Sequence, residues 1–306
     1  MILWGLRLVQ GGLENLAREK IRRALLRLAG TPFTAAVTGL VTTALVQSST
    51  AVSVFTIGFV NSRIMTLPQA IGVILGANVG TCLTVQLMSL DIGRVALPAV
   101  VAGGILWAVG RRSAVSRLGE AMVGFGLIFL GLNALAAAFA PWAAEPWFGE
   151  LLAGLGDNHL GAAAAGALFT GILHSSATST GLVIALARDE LIGLPTAVAF
   201  ILGNNVGTCF TAILASLGSS AAGKRVAAAH LIVNLAGAVV VLPFATQFAV
   251  LIRMSGSELP GQVAIAHTVF NVASSLAFLP FIQPFTALLT RIVPGNGYRD
   301  RIREPR

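Results

Sequence analysis

Two short polar segments interrupt long apolar runs at corresponding places in the chain, and this pairing constrains the fold more than any other feature. The segments, called here the first and second tetrads, are Gln47-Ser48-Ser49-Thr50 and His174-Ser175-Ser176-Ala177. The offset of 127 between positions 47 and 174 also relates 74–84 to 201–211, where Gly-x-Asn-Val-Gly-Thr-Cys recurs. Because the shared residues are the small and polar ones, we interpret the chain as two copies of one unit.

The composition places these two units in a membrane. Charged residues make up only 10% of the chain and hydrophobic residues 56%, with a mean hydropathy of +0.84. Soluble domains contain about 25% charged residues, so the composition predicts an all-α polytopic membrane protein. At about 20 residues per crossing, spans are expected over 66–90, 94–110, 119–140, 194–217, 226–250 and 262–283.

The basic residues of the chain are interpreted as determinants of membrane orientation rather than as a nucleic-acid-binding surface. The formal net charge is +8, but the basic residues fall in short loops and a tail, where they set membrane orientation. The first apolar stretch contains Arg7 and no small-residue cleavage site, so we expect no cleaved signal peptide. The offset places Met1 inside the counterpart of 119–140, so the first helix is expected to be N-terminally short, as in a truncated or mis-started chain.

Each tetrad predicts a break in a helix. No residue from Pro32 to Gly58 is charged, yet the first tetrad lies halfway along this run. Ser and Thr are favoured at helix N-caps, and about 13 residues before the break make roughly 20 Å of helix, enough to reach the middle of a bilayer. We therefore predict re-entrant helical hairpins at about 32–62 and 161–190. The alternative is two unbroken helices with polar packing residues.

The distribution of basic residues predicts the orientation. If the hairpins make no net crossing, all but four of the 20 Lys and Arg residues fall on one side, which the positive-inside rule makes cytoplasmic. The exceptions are Arg7, Arg94, Arg188 and Arg253. The C-terminus of this cell-membrane protein is then cytoplasmic. We expect a first repeat over 1–112, a second, inverted repeat over 113–285 with an extra C-terminal span, and a basic cytoplasmic tail over 286–306.

The polar groups of the tetrads suit a small anion accompanied by a cation. No carboxylate, Lys or Arg is expected at the midplane beside them, so the site offers hydroxyls, amides and two helix N-termini. Each N-terminus contributes about half a positive charge and free N–H donors, which favour phosphate. About one positive charge in total does not desolvate a divalent anion, so a cation is needed. Sodium fits, because broken membrane helices supply neutral oxygen ligands.

Several of these residues have a second, structural interpretation. The spacing of Gly76 with Gly80, and of Gly203 with Gly207, is a close-packing signature of membrane helices. Interhelical hydrogen bonding is favoured for the two His-x-x-x-Asn pairs, at 230–234 and 267–271. The two cysteines, which are Cys82 and Cys209, are interpreted as small apolar residues rather than as a disulfide.

The combination of motifs resembles the sodium/phosphate cotransporter family (type II), in its shorter bacterial form. The similarity rests on the tetrads, on Gly-x-Asn-Val-Gly-Thr at 76–81 and 203–208, and on Ala-His-x-x-x-Asn at 229–234 and 266–271. It covers roughly residues 1–285. The resemblance implies sodium-coupled transport of inorganic phosphate through inverted repeats, with sodium as the coupling ion and no other cofactor.

The resemblance and the side-chain chemistry together suggest a role for each site residue. Phosphate contact is expected for Ser48, Ser49, Thr50, Ser175 and Ser176. Sodium binding, or lining of the site, is expected for Gln47, Asn78, Thr81, His174, Thr178, Asn205 and Thr208. His174 stands where the first tetrad has Gln47, and because an imidazole can gain a proton near neutral pH it predicts a pH-dependent affinity.

Three functions are compatible with these features of the sequence. The favoured one is a secondary transporter that moves phosphate with sodium by alternating access. The alternatives are an uncoupled phosphate exporter or channel of the same fold, and a non-transporting membrane scaffold or sensor. An enzyme is not expected, because the chain has no His-Glu-x-x-His, P-loop or Gly-x-Ser-x-Gly motif. A homo-oligomer is compatible with the sequence, which leaves stoichiometry and net direction open.

Overall fold

A computed structural model describes residues 30–90, 93–110, 113–143 and 158–295, together with a few isolated positions. Residues 18–27, and residues 296–306 of the predicted tail, lie outside the described residues, as do nearly all of residues 1–17 and nine of the twenty residues of 141–160. Within the described part of the chain, the regular structure is entirely helical. The all-α prediction is therefore confirmed.

The described residues form twelve α-helices and two short 3₁₀ helices. In chain order the α-helices are α1 Pro32–Val46, α2 Ser49–Asn61, α3 Leu67–Ser89, α4 Gly93–Val109, α5 Ala114–Ala143, α6 His159–Leu173, α7 Ser176–Arg188, α8 Leu194–Ser216, α9 Ala221–Val241, α10 Ala245–Arg253, α11 Leu259–Phe278 and α12 Ile282–Ile292. The 3₁₀ helices Leu242–Phe244 and Leu279–Phe281 join α9 to α10 and α11 to α12.

Five helical segments of the described chain are long and apolar enough to cross a membrane, which agrees with a multi-pass membrane protein. They are α3, most of α5, α8, and the continuous stretches Ala221–Arg253 and Leu259–Ile292. The predicted span 94–110 is α4, an apolar helix of 17 residues with Pro98 inside it. It is slightly shorter than the about 20 residues of a full perpendicular crossing.

The helices break at both tetrads. The helix α1 ends at Val46, Gln47 takes a left-handed conformation with φ of 58°, and Ser48 begins α2. At the second tetrad, α6 ends at Leu173, His174 has φ of 53°, and Ser175 begins α7. A single left-handed residue ends the ladder of hydrogen bonds of one helix, and the next residue starts another. The alternative of two unbroken helices is therefore wrong.

A second, shorter repeat occupies the C-terminal part of the chain and was missed in the sequence. The motifs Ala-His-x-x-x-Asn and Leu-Pro-Phe occur at 229–234 and 242–244, and again 37 positions later at 266–271 and 279–281. Each Leu-Pro-Phe forms a 3₁₀ turn between two helices, since proline cannot donate the hydrogen bond that a continuous helix needs. The helix α12 runs past the predicted boundary at 285 to Ile292.

In each unit, glycines allow the helix before the tetrad to pack closely against the next long helix, so that α1 lies against α3 and α6 lies against α8. A Cβ at Gly76 of α3 would overlap the Ala36 carbonyl of α1, and a Cβ at Gly203 of α8 would overlap the Ala163 carbonyl of α6. The packing interpretation of the Gly-x-x-x-Gly motifs is therefore confirmed. The helices after the breaks cross to the other unit, because α2 contacts α8 and α7 contacts α3. This exchange brings the two tetrads together.

Candidate functional site

The two tetrads start their second helices in the same way. The Ser48 hydroxyl accepts a hydrogen bond from the Ala51 N–H at 3.2 Å, and the Ser175 hydroxyl accepts one from the Thr178 N–H at 3.3 Å. The Thr178 hydroxyl also lies 2.9 Å from Ser175 Oγ. Each serine is thus the N-cap of its helix, as the sequence predicted, and satisfies one of the free N–H groups of the first turn.

The residue before each serine is held by a threonine from the next long helix. The Thr84 hydroxyl of α3 donates to Gln47 Oε1, and the Gln47 side-chain amide donates to the Ala44 carbonyl. In the second unit, His174 Nδ1 lies 3.0 Å from the Thr211 hydroxyl of α8. Thr84 and Thr211 correspond at the same offset as the tetrads, so this spacing was the available signal for two residues that the sequence reasoning did not select.

Both tetrads line one cavity of about 360 Å³. Its lining contains Gln47, Ser48, Ser49, Thr50, Thr81, Thr84, His174, Ser175 and Ser176, with the apolar Ala51, Val85, Leu173 and Ala177 between them. All five residues expected to contact phosphate are therefore brought together, although the two groups, 48–50 and 175–176, lie more than a hundred positions apart in the chain.

The cavity lining is nearly free of formal charge. Among the residues that line it, none is Asp, Glu, Lys or Arg, and His174 is the one ionisable side chain. The electrostatic attraction for an anion comes from the N-terminal ends of α2 and α7, each equivalent to about half a positive charge. Hydroxyl and N–H groups add the hydrogen bonds that an oxyanion needs.

The predicted asparagines lie beside this cavity rather than in its lining. Asn78 accepts at Oδ1 from a ring nitrogen of His230, 3.2 Å away, and donates from Nδ2 to Asn234 Oδ1, also at 3.2 Å. Asn205 donates to the Ile201 carbonyl at 2.9 Å. The interhelical hydrogen-bond interpretation is confirmed for the first His-x-x-x-Asn pair. The expected ion-binding role of the two asparagines stays a prediction.

Of the remaining predicted residues, one lines the cavity and the others lie outside its lining. Thr81 lines the cavity, and its hydroxyl donates to the Asn78 carbonyl. Its counterpart Thr208 donates to the Asn205 carbonyl and, like Thr178, is outside the lining. Cys82 and Cys209 are both buried free thiols, which confirms that they form no disulfide.

A family model described as "Na+/Pi-cotransporter" matches residues 1–137 and 142–257, which is most of the chain. The protein YqeW of Bacillus subtilis (strain 168), whose name assigns no function, is 31% identical over 80% of this chain and 79% of its own length.

Longer relatives match the same region. The protein YjbB of Escherichia coli (strain K12), whose name proposes inorganic phosphate export, is 30% identical over 81% of this chain and 46% of its own length. YjbB of Salmonella typhimurium shows the same identity and coverage. The chain thus spans about half the length of these two relatives. No solved structure matches it.

Proposed function

Since the chain belongs to the Na+/Pi-cotransporter family, we propose that it is a secondary transporter that moves inorganic phosphate across a membrane, coupled to sodium ions by alternating access. Family membership identifies a transporter rather than an enzyme. The observation that carries the proposal is the shared cavity, into which two serine-capped helix starts and both tetrads converge.

Phosphate binds at this convergence. The hydroxyls of Ser48, Ser49, Thr50, Ser175 and Ser176 donate to phosphate oxygens, and the N-termini of α2 and α7 oppose its negative charge. A small, polar, largely uncharged cavity suits this ligand, because neutral donors can release the anion again as well as bind it.

Sodium supplies the charge that the protein does not. Two helix N-termini offset only about one negative charge, whereas phosphate near neutral pH carries between one and two. The helix breaks provide hydroxyl, amide and carbonyl oxygens, which are the ligands of sodium in broken-helix transporters. Gln47, Thr81 and His174 lie in the lining, whereas Thr178, Asn78, Asn205 and Thr208 lie outside it; all seven are candidates for ion binding or for shaping the site.

Each broken helix pair is a re-entrant hairpin in this proposal. Backbone that leaves a helix at membrane depth is tolerated only where it lines a cavity or is buried in protein, and both breaks line a cavity. The hairpins belong to inverted repeats, 1–112 and 113–285, that move against each other. The protein lies in the cell membrane, and by the positive-inside rule its C-terminal tail is on the cytoplasmic side.

Uncoupled phosphate export is the alternative function that a relative's name supports. The name of YjbB, which proposes inorganic phosphate export, supports this direction of net flow. Export without coupling needs the same anion site but no sodium ligands. The scaffold or sensor function needs neither, and it predicts that Ser48→Ala with Ser175→Ala leaves phosphate accumulation unchanged.

Reconstitution in proteoliposomes separates these functions. Uptake of radioactive phosphate is measured with an inward sodium gradient and with sodium replaced by choline. Coupled transport predicts accumulation above equilibrium that requires the sodium gradient. Equal fluxes in sodium and choline would support the uncoupled exporter, and no flux above that of protein-free liposomes would contradict transport altogether.

A further inference from the structure

The two units differ at one buried position behind the tetrads. Asn204 of α8 is 1% exposed, and its counterpart at the repeat offset is Ala77 of α3. The Asn204 Oδ1 atom accepts from the Thr170 hydroxyl at 2.9 Å and from the Ser179 hydroxyl at 2.7 Å. Its Nδ2 atom donates to the Thr180 hydroxyl at 3.3 Å. One amide therefore satisfies three hydroxyls contributed by α6 and α7.

The first unit has hydroxyls in this place without the amide. The counterparts of Thr170 and Thr180 are Thr43 and Ser53, which are 0% and 2% exposed. Thr43 Oγ1 and Ser53 Oγ have no hydrogen-bond partner among the described residues. Ala77 offers them no polar atom. Buried hydroxyls nearly always have a hydrogen-bond partner. Two hydroxyls without one, at the positions that correspond to Thr170 and Thr180, indicate an occupant such as a water molecule or an ion.

The two units pack alike beside these hydroxyls. A Cβ at Gly80 would lie 2.6 Å from the Thr43 Cβ, and a Cβ at Gly207 would lie 2.8 Å from the Thr170 Cβ. Both threonines thus lie against matching positions of α3 and α8. At the repeat offset, Ala77 lacks the amide group that Asn204 places beside Thr170, and the volume of that group is close to the space that a small occupant needs.

We propose that a sodium ion binds between the Thr43 and Ser53 hydroxyls, in the place that the Asn204 amide fills in the second unit. Neutral oxygens are the ligands that sodium takes in broken membrane helices. Thr43 is in the last turn of α1, and its carbonyl accepts from the Gln47 N–H at 2.7 Å. The C-terminal end of a helix carries partial negative charge and favours a cation. The inference rests on the proposed function only for the identity of the ion.

This placement would make the two units unequal partners. The ion lies one helical turn before Gln47 and within the first two turns of α2, directly behind the first tetrad. A cation there opposes the charge of an anion at the tetrads without entering the cavity. The second unit binds no ion at the equivalent place, because Asn204 already satisfies its hydroxyls.

The test measures sodium binding by thermal unfolding of the purified protein in detergent, in NaCl and in choline chloride. Sodium is expected to raise the unfolding temperature of the wild type, and its concentration dependence gives an apparent affinity. Thr43→Val keeps the shape but removes one ligand, and Ala77→Asn supplies the competing amide. Both changes are expected to weaken the apparent sodium affinity about tenfold or more, which corresponds to about 1.4 kcal/mol.

Thr170→Val is the matched control, because it makes the same change in the second unit. It removes a donor to Asn204 and is expected to lower the unfolding temperature equally in both salts, with an unchanged sodium affinity. A wild-type sodium affinity in Thr43→Val and Ala77→Asn would overturn the inference. Equal changes of stability in NaCl and choline would also overturn it, by indicating a water molecule instead.

Failure of the inference and failure of the proposed function give different results. If wild-type transport requires sodium but Thr43→Val keeps the wild-type sodium affinity, the transporter proposal stands and this site is wrong. If transport is independent of sodium but the sodium-induced stabilisation is lost in Thr43→Val, the site stands and the coupling is wrong.

Discussion

At the scale of single residues, the serines that begin α2 and α7 combine a structural and a chemical role. Ser48 Oγ is the cap acceptor for the Ala51 N–H, and the same hydroxyl lies in the lining of the cavity. Its oxygen can accept from the backbone while its hydrogen points to a bound anion. A phosphate at the tetrads would therefore meet donors that the caps already hold in place.

We predict that Ser48→Ala and Ser175→Ala each raise the phosphate KM of transport about tenfold, because each removes a donor and loosens a helix start. Loss of an N-cap serine also costs about 0.5–2 kcal/mol of stability. Ser220→Ala is the matched control, since Ser220 caps α9 by accepting from the Gly223 N–H but lies outside the cavity lining. A similar KM in all three variants would show that the tetrad serines are caps alone.

At the scale of helices, the position of each tetrad depends on how closely a helix pair can approach. Gly76 and Gly203 allow α1 to lie on α3 and α6 on α8, with backbone atoms where a side chain would otherwise stand. A break in a helix is fixed in space only if the helix before it is fixed. The glycines therefore act on the site from a distance of several turns.

Gly203→Ala is predicted to lower the unfolding temperature and reduce transport, because the added methyl group would overlap the Ala163 carbonyl. Overpacking of this kind typically costs about 1–3 kcal/mol. Gly58→Ala is the control within α2, where nothing lies within 4 Å of the added Cβ. It should be neutral or stabilise by up to about 1 kcal/mol. Thermal unfolding in detergent checks both, and equal stability of the two variants would contradict the packing argument.

At the scale of the whole molecule, a buried polar network joins the first unit to the C-terminal helices. Asn78 of α3 bonds both His230 and Asn234 of α9, and Asn234 also donates to the Cys209 sulfur of α8 at 3.3 Å. Residues from α3, α8 and α9 thus share one cluster. A buried network of this kind fixes which helices are neighbours, because leaving any member unpaired is costly.

A double-mutant cycle tests whether Asn78 acts through this network. Asn78→Ala and Asn234→Ala are each predicted to destabilise by about 1–3 kcal/mol, since each leaves a buried amide unpaired. The double variant should cost less than the sum, with a coupling of about 0.5 kcal/mol or more. Strict additivity would contradict the network. A loss of sodium response in Asn78→Ala but not in Asn234→Ala would favour the predicted ion-binding role instead.

The sequence by itself determined the local features of this protein. Composition indicated a membrane protein, the offset of 127 identified two equivalent units, and the serine and glycine patterns predicted the helix breaks, the caps and the close approaches. These follow from the chain because each depends on residues within a few turns of one helix. The positive-φ residues at the breaks, Gln47 and His174, are fixed by the helix ends on either side.

Only the tertiary structure decided which polar side chains share a site. The helix α3 is buried along most of its length, so its polarity pattern does not show which face meets the cavity. Thr81 and Thr84 face it, whereas Asn78 turns to α9. Likewise, the difference between Asn204 and Ala77 looks minor in the sequence. It matters only in the folded protein, where hydroxyls from other helices bond Asn204 and the corresponding Thr43 and Ser53 hydroxyls have no partner among the described residues. Long-range packing, which no local pattern encodes, makes that selection.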